Sequence, residues 1–212
     1  MKLTPDQREA LAAFLLDRFR LWAVEKTDFD AVLVVARVFG VLRMLGANVP
    51  SEGEFMGRFW TTLGPVIFMP RCAGLLGEHL RVLSHEVEHG VQFWRNPLGL
   101  VAKYLSKRGR AELEAEAERA AIEVWWLLTG EIPASRADLD VTRHGYALDD
   151  APGEHDDHAD LTRDLLETAV TSVRNGVLST DVGLAVAGWL TQRAPEAMVG
   201  RYFGTVPSGG AT

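Results

Sequence analysis

The chain has one cysteine, Cys72, so it cannot close a disulfide within itself. That excludes a small disulfide-stapled scaffold and fits a reducing compartment. There is no uninterrupted apolar run of the ~18 residues that a membrane span needs. The longest candidate, residues 31–46, is broken by Arg37 and Arg43. The opening residues Met1-Lys2-Leu3-Thr4-Pro5-Asp6 lack the apolar stretch of a secretory leader. Basic residues are outnumbered, 22 Lys and Arg against 29 Asp and Glu, and the net charge is -7. This acidity argues against nucleic acid or an anionic membrane as the main partner. Repeats and low-complexity tracts are also absent. These absences leave a cytoplasmic globular protein as the expectation. Its 212 residues, 47% hydrophobic, suffice for a single domain with a sizeable core.

What is present reads mostly as helix. Thr4-Pro5-Asp6 supplies a capping hydroxyl, a proline at the first helical position and an acid in the first turn. Leu11, Phe14, Leu15, Phe19 and Trp22 follow at helical spacing. A second helix, apolar nearly all round, is predicted over 30–45 and stops at Gly46. Residues 46–58 read as loop. Val66 to Met69 form a short β-type run bracketed by Pro65 and Pro70, which confines it to a sheet edge or a strand end. Further helices are predicted over 75–94, 111–129, 160–174 and 180–192, with a last short one ending near Phe203. The six tryptophans are expected in the core, although only one ring of Trp125-Trp126 can be fully buried. The expected class is α+β, predominantly α, with a small edge-exposed sheet. The layout is N-terminal helices (1–50), a core bearing the chemistry (51–130), an acidic loop (131–160), C-terminal helices (161–205) and a disordered tail (206–212).

The chemistry lies in His85-Glu86-Val87-Glu88-His89, an H-E-x-x-H run on a predicted helix. Positions i and i+4 share a face one turn apart, so two imidazoles can ligate one zinc while Glu86 acts on a metal-bound water. On this helix Leu76, Leu80, Leu83, Val87, Val91 and Trp94 form a core stripe, and Val82, His85, His89 and Phe93 a second. Between them runs a polar strip of Arg81, Ser84, Glu88, Gln92 and Arg95, expected to face solvent, Glu88 included.

A catalytic zinc needs a third protein ligand and an open position. Four glutamates alternate in Glu112-Leu113-Glu114-Ala115-Glu116-Ala117-Glu118, on a helix whose apolar face is Leu113, Ala117, Ala120, Val124 and Leu128. At ~100° per residue, Glu114 lies about 60° from the centre of that face, and Glu116 and Glu112 about 100° and 140° away. Glu114 is therefore the best-placed carboxylate. Glu112 has Ala115 three residues on, as Glu114 has Ala117, which keeps a register two residues earlier open.

These residues resemble those of a compact gluzincin, the zinc metallopeptidase group whose third ligand is a glutamate on a second helix. His85-Glu86-x-x-His89 matches the first motif. Glu114-x-x-Ala117-Glu118 resembles the second, E-x-x-A-D, with glutamate in the aspartate position. His89-Gly90-Val91-Gln92 is similar to small bacterial members with glutamine three residues after the second histidine. The likeness covers about residues 61 to 128. It implies a zincin-like core, Zn2+ held by His85, His89 and Glu114, Glu86 as general base, and a peptide or protein as substrate. It also implies a tyrosine or histidine that stabilises the oxyanion, for which His144 and Tyr146 are the candidates. Glu118 or Asp138 would bond a ligand histidine's other nitrogen. His155-Asp156-Asp157-His158 reads as solvated acidic loop, and Cys72 as a small buried residue. The alternative function is a zinc-binding but non-proteolytic interaction or assembly protein, against which the presence of Glu86 argues.

Overall fold

The structure, a computed structural model, describes residues 3–28, 52–57, 60–70, 74–104, 106–132 and 157–193. Helix α1 (Pro5–Phe19) begins as its sequence dictates. Thr4 Oγ1 accepts from the Gln7 N–H at 3.2 Å and Gln7 Oε1 accepts from the Thr4 N–H at 2.9 Å, a reciprocal capping box. The helix ends earlier than apolar spacing suggests. Arg20 takes a left-handed conformation (φ 54) and closes it, which turns Trp22 out of the helix and into strand β1 (Trp22–Glu25).

Strands β2 (Thr61–Leu63) and β3 (Val66–Met69) pair antiparallel around Gly64 (φ 61), and β1 pairs parallel with β3. The order is β1-β3-β2, so Val66–Met69 is the central strand and not an edge. Its two prolines lie just outside the strand and cost it no ladder donor. Among the described residues the edge strands are β1 and β2. Ile67 sits between Ala23 and Thr62 in the register, and all three face the same side of the sheet. A short helix α2 (Glu52–Gly57) occupies part of what reads as loop.

The motif helix starts as a 3-10 turn (Leu76–His79) and continues as α3 (Leu80–Arg95). Asn96 ends it, and its side-chain oxygen accepts from the Gly99 N–H at 2.9 Å to start α4 (Pro97–Tyr104). Helix α5 (Lys107–Thr129) is capped by Ser106 at one end and by left-handed Gly130 (φ 80) at the other. It packs against α3, α4, α6 (Asp157–Arg174) and α7 (Asp181–Arg193). Enclosure from several sides explains why Ile122 and Leu127 are fully buried alongside the expected Ala117, Ala120 and Val124. Burial of such a side chain contributes ~1.5–3 kcal/mol.

Gly90 lets α3 approach the entry to β1 closely. A Cβ there would meet Leu21 Cδ2 at 2.6 Å, so any other residue requires the Leu21 side chain to shift. Trp126 and Trp189 are buried, but Trp22 and Trp94 are more than half exposed and Trp125 is exposed on α5. The expectation of a six-tryptophan core therefore fails at those three positions. The architecture is predominantly helical with one small sheet. No helix among the described residues is long and apolar enough to cross a membrane. The helices predicted over 30–45 and up to Phe203, the tail, and most of 131–160 lie outside the described residues.

Candidate metal centre

The solvent strip predicted on α3 is not a solvent strip. Arg81 and Arg95 at its ends keep their heads in water, but Ser84, Glu88 and Gln92 are buried beneath α5 and α7. Ser84 donates to the Leu80 carbonyl at 2.6 Å, and Glu88 is fully buried 3.5 Å from Arg95 Nη2. Polar residues on this face serve the protein's own groups.

Gln92 shows how. Its amide nitrogen donates to the Leu113 carbonyl at 2.9 Å and to Glu116 Oε2 at 3.0 Å. Two acceptors on one side fix which end of the amide is nitrogen, so the oxygen faces His89 Nδ1 at 2.9 Å. His89 Nδ1 must then carry the proton and donate, which leaves Nε2 with its lone pair. His85 is treated alike from the other helix. Its Nδ1 lies 3.4 Å from Glu118 Oε2, and Arg81 Nη2 donates to Glu118 Oε1 at 2.7 Å.

Both Nε2 lone pairs face the same spot, 3.1 Å apart. Glu114 Oε2 completes the triangle at 3.3 Å from each. Three tetrahedral ligands ~2.0–2.1 Å from a zinc ion stand about 3.3 Å from one another. The side chains present thus fit a metal ion in both spacing and donor type. His85, His89 and Glu114 form a buried group able to hold one, and among the described residues no fourth His, Cys, Asp or Glu joins it. Without a metal, a proton does part of that work. Burial pulls the His85 pKa down, but Glu114 and Glu118 outweigh it and hold it above its ordinary value. For His89 the same opposition, dominated after burial by Glu114, also ends in a raised value. Glu114 is driven the other way, burial notwithstanding, by the two histidines.

Glu86 leaves α3 toward the sheet. Thr62 of β2 donates its hydroxyl to Glu86 Oε2 at 2.7 Å and lies 3.1 Å from the Glu86 carbonyl. Glu86 is buried, and its charge is felt at both histidines. Phe93 lies under the β2–β3 turn, its ring 3.5 Å from where a Cβ on Gly64 would be.

Of the four alternating glutamates, the structure brings Glu114 to the histidines. Glu112 instead pairs with Lys103 at 3.1 Å and Arg108 at 3.2 Å on the surface. Glu116 pairs with Arg95 and accepts from Gln92. His144, Tyr146, Asp138 and Cys72 lie outside the described residues, as do His155 and Asp156 and the side chains of Asp157 and His158. Sequence reasoning used Gln92 only as a mark of resemblance and gave no role to Thr62. Gln92 carried a signal, being one turn from His89 on the same helix; Thr62 had none. No family model, curated protein or solved structure matches the chain.

Proposed function

We propose that the chain is a zinc-dependent metallopeptidase of the gluzincin type, with a zincin-like core and Glu86 as its general base. The observation that carries this reading is the triangle of His85 Nε2, His89 Nε2 and Glu114 Oε2, with both Nδ1 atoms committed to acceptors. Three ligands leave an open coordination position, which a hydrolytic site needs and a purely structural one does not. A bound zinc would supply Lewis acidity to water and to the peptide carbonyl.

The chain's own residues do the rest. Glu86, oriented through Oε2 by Thr62, takes the proton of the attacking water on its other oxygen. It then gives a proton to the leaving amine. Gln92 and Glu118 hold the imidazoles in the tautomer that presents Nε2. An extended peptide laid along the edge strand β2 would pass beside Glu86, because Thr62 belongs to that strand.

The burial of the ligands favours a second reading, a closed zinc site in a non-proteolytic protein. One experiment separates the two. Wild type and Glu86→Gln are loaded with zinc, assayed for metal content, and incubated with a quenched-fluorescent peptide library. The peptidase reading expects about one zinc per chain in both proteins, and turnover only in wild type. Zinc in both with no cleavage by either selects the closed site. Undiminished cleavage by Glu86→Gln removes Glu86 from the mechanism.

A further inference from the structure

The two ligand histidines are backed differently. His85 Nδ1 lies 3.4 Å from a carboxylate oxygen, Glu118 Oε2. His89 Nδ1 meets an amide, with Gln92 Oε1 at 2.9 Å. A carboxylate offers an acceptor whichever way it turns. A carboxamide has an acceptor at one end and two donors at the other, so it serves His89 in only one of its two orientations. The reverse orientation would set an NH2 against Nδ1. It would favour the tautomer that puts a proton on Nε2, where a metal needs the lone pair.

The groups that fix the amide end for end lie outside the centre. Gln92 is buried, and its Nε2 donates to the Leu113 carbonyl at 2.9 Å and to Glu116 Oε2 at 3.0 Å. Arg95 Nη1 donates to Glu116 Oε1, which leaves Oε2 for the amide. Arg95 stands three residues past Gln92 on α3, and Glu116 three past Leu113 on α5, so one turn of each helix supplies the assembly. Arg95 Nη2 also donates to Asp181 Oδ2 at 3.0 Å, at the start of α7, and lies 3.5 Å from Glu88 Oε1. Arg95, Glu116 and Asp181 are each more than a third exposed, and ion pairs that open add little stability. What the Glu116 pair does contribute is direction, because an ionised carboxylate can only accept.

We infer that Arg95 and Glu116 are positioning residues for the metal centre: they fix which end of the Gln92 amide faces His89, and through it the nitrogen that His89 offers to a metal. The inference rests on His85, His89 and Glu114 holding a metal, and not on peptide hydrolysis.

Zinc affinity of the full chain, read by competition with a chromogenic chelator, tests it. Gln92→Leu should bind zinc roughly 10- to 100-fold more weakly. Glu116→Gln should lose at least about fivefold, because Arg95 claims the new amide's oxygen and turns its NH2 on Gln92. Asp181→Asn alters a partner of Arg95 that has no contact with Gln92, and it should stay within about twofold of wild type. Glu116→Gln added to Gln92→Leu should cost less than about a further twofold, since the first change has already cut the route. Losses that multiply in the double variant, or an equal loss in Asp181→Asn, would overturn the inference in favour of a general clamp between helices. So would Glu116→Gln at wild-type affinity. Imidazole NMR adds a reading that a clamp would not move. The His89 Nδ1 proton should exchange with water at least about tenfold faster in Glu116→Gln than in wild type, with the His85 Nδ1 proton unaffected. Unchanged exchange at His89 would overturn the inference, and this comparison decides it if Gln92→Leu does not fold. Wild type without zinc would count against the metal reading alone, since the same proton is read in metal-free protein.

Discussion

Glu114 and Glu123 are two buried carboxylates on the same helix, α5. Nine positions at about 100° each place them on opposite sides of it. Glu123 is surrounded by donors. Its Oε1 accepts from the Ser179 N–H at 2.9 Å, the Ser179 hydroxyl at 3.1 Å and Arg119 Nε at 3.2 Å. Its Oε2 accepts from the Thr180 N–H at 3.1 Å and the Thr180 hydroxyl at 2.6 Å. Glu114 meets the Nε2 atoms of two imidazoles whose Nδ1 atoms face Gln92 and Glu118. A buried carboxylate among N–H and O–H groups is complete within the protein. One that converges with two imidazole nitrogens can join them in holding a cation. Residue type alone does not separate the two; the surrounding donors and acceptors do.

The largest effect is expected at the completed site. Glu123 ties α5 to the turn that starts α7, so tightly that a Cβ on Gly183 would lie 2.1 Å from Glu123 Oε2. Glu123→Ala strands the buried Thr180 donors and releases Arg119 and Ser179, which reach solvent. The expected loss is about 3–5 kcal/mol in urea unfolding, with zinc content per folded chain unchanged. A loss below ~1 kcal/mol would mean that water replaces the carboxylate and that the site is not an anchor.

Glu114→Gln should act on the metal. Zinc affinity falls roughly 100- to 1,000-fold, a third to a quarter of the ~10–16 kcal/mol that a full ligand set supplies. With chelator present stability falls as well, because His85 and His89 lose the carboxylate that faces them. Glu112→Ala, which loses only surface pairs with Lys103 and Arg108, leaves zinc affinity within a factor of about two. Equal losses in the two variants, read by competition with a chromogenic chelator, would return the third-ligand assignment to the two-residue register ambiguity of the sequence.

That ambiguity marks where the sequence was legible. The motif, its helix and the choice of Glu114 follow from helical periodicity, which depends on neighbours within two turns. The break at Arg20 was not legible, because an arginine in a left-handed conformation carries no local signal, and so Trp22 read as helix. Nor was the central place of Val66–Met69, since pairing partners come from Trp22–Glu25 and Thr61–Leu63 rather than from the run itself. Lys26 stands in Glu25-Lys26-Thr27-Asp28, which reads as solvated turn. Its burial and its hydrogen bond to the distant Thr61 appear only in the structure.

Glu88 was the plainest misreading, and it supplies the smallest effect. It lies on the polar strip of α3, but it is sealed there with Arg95, Glu116 and Asp181 around it. Burial first, then the Glu116 carboxylate, raises its pKa from an ordinary 4.5 to about 7, against the pull of Arg95. A group whose folded pKa is raised adds stability that is complete below the unfolded value and is lost as pH climbs through the folded one. The raised pKa of His85 has the same sign from its ordinary 6.5 upward. Metal-free protein should therefore lose stability as pH rises, first through Glu88 between about 4.5 and 7 and then through His85. Glu88→Gln removes the first part and keeps the second. With chelator present, the variant should gain on wild type by on the order of 1 kcal/mol between pH 5 and pH 8. Urea midpoints measured across that range decide it. Parallel curves would mean that Arg95 compensates a charged Glu88 in full. Glu88 would then join Glu123 as a carboxylate completed by its neighbours, and Glu114 would differ from both in facing two imidazole nitrogens.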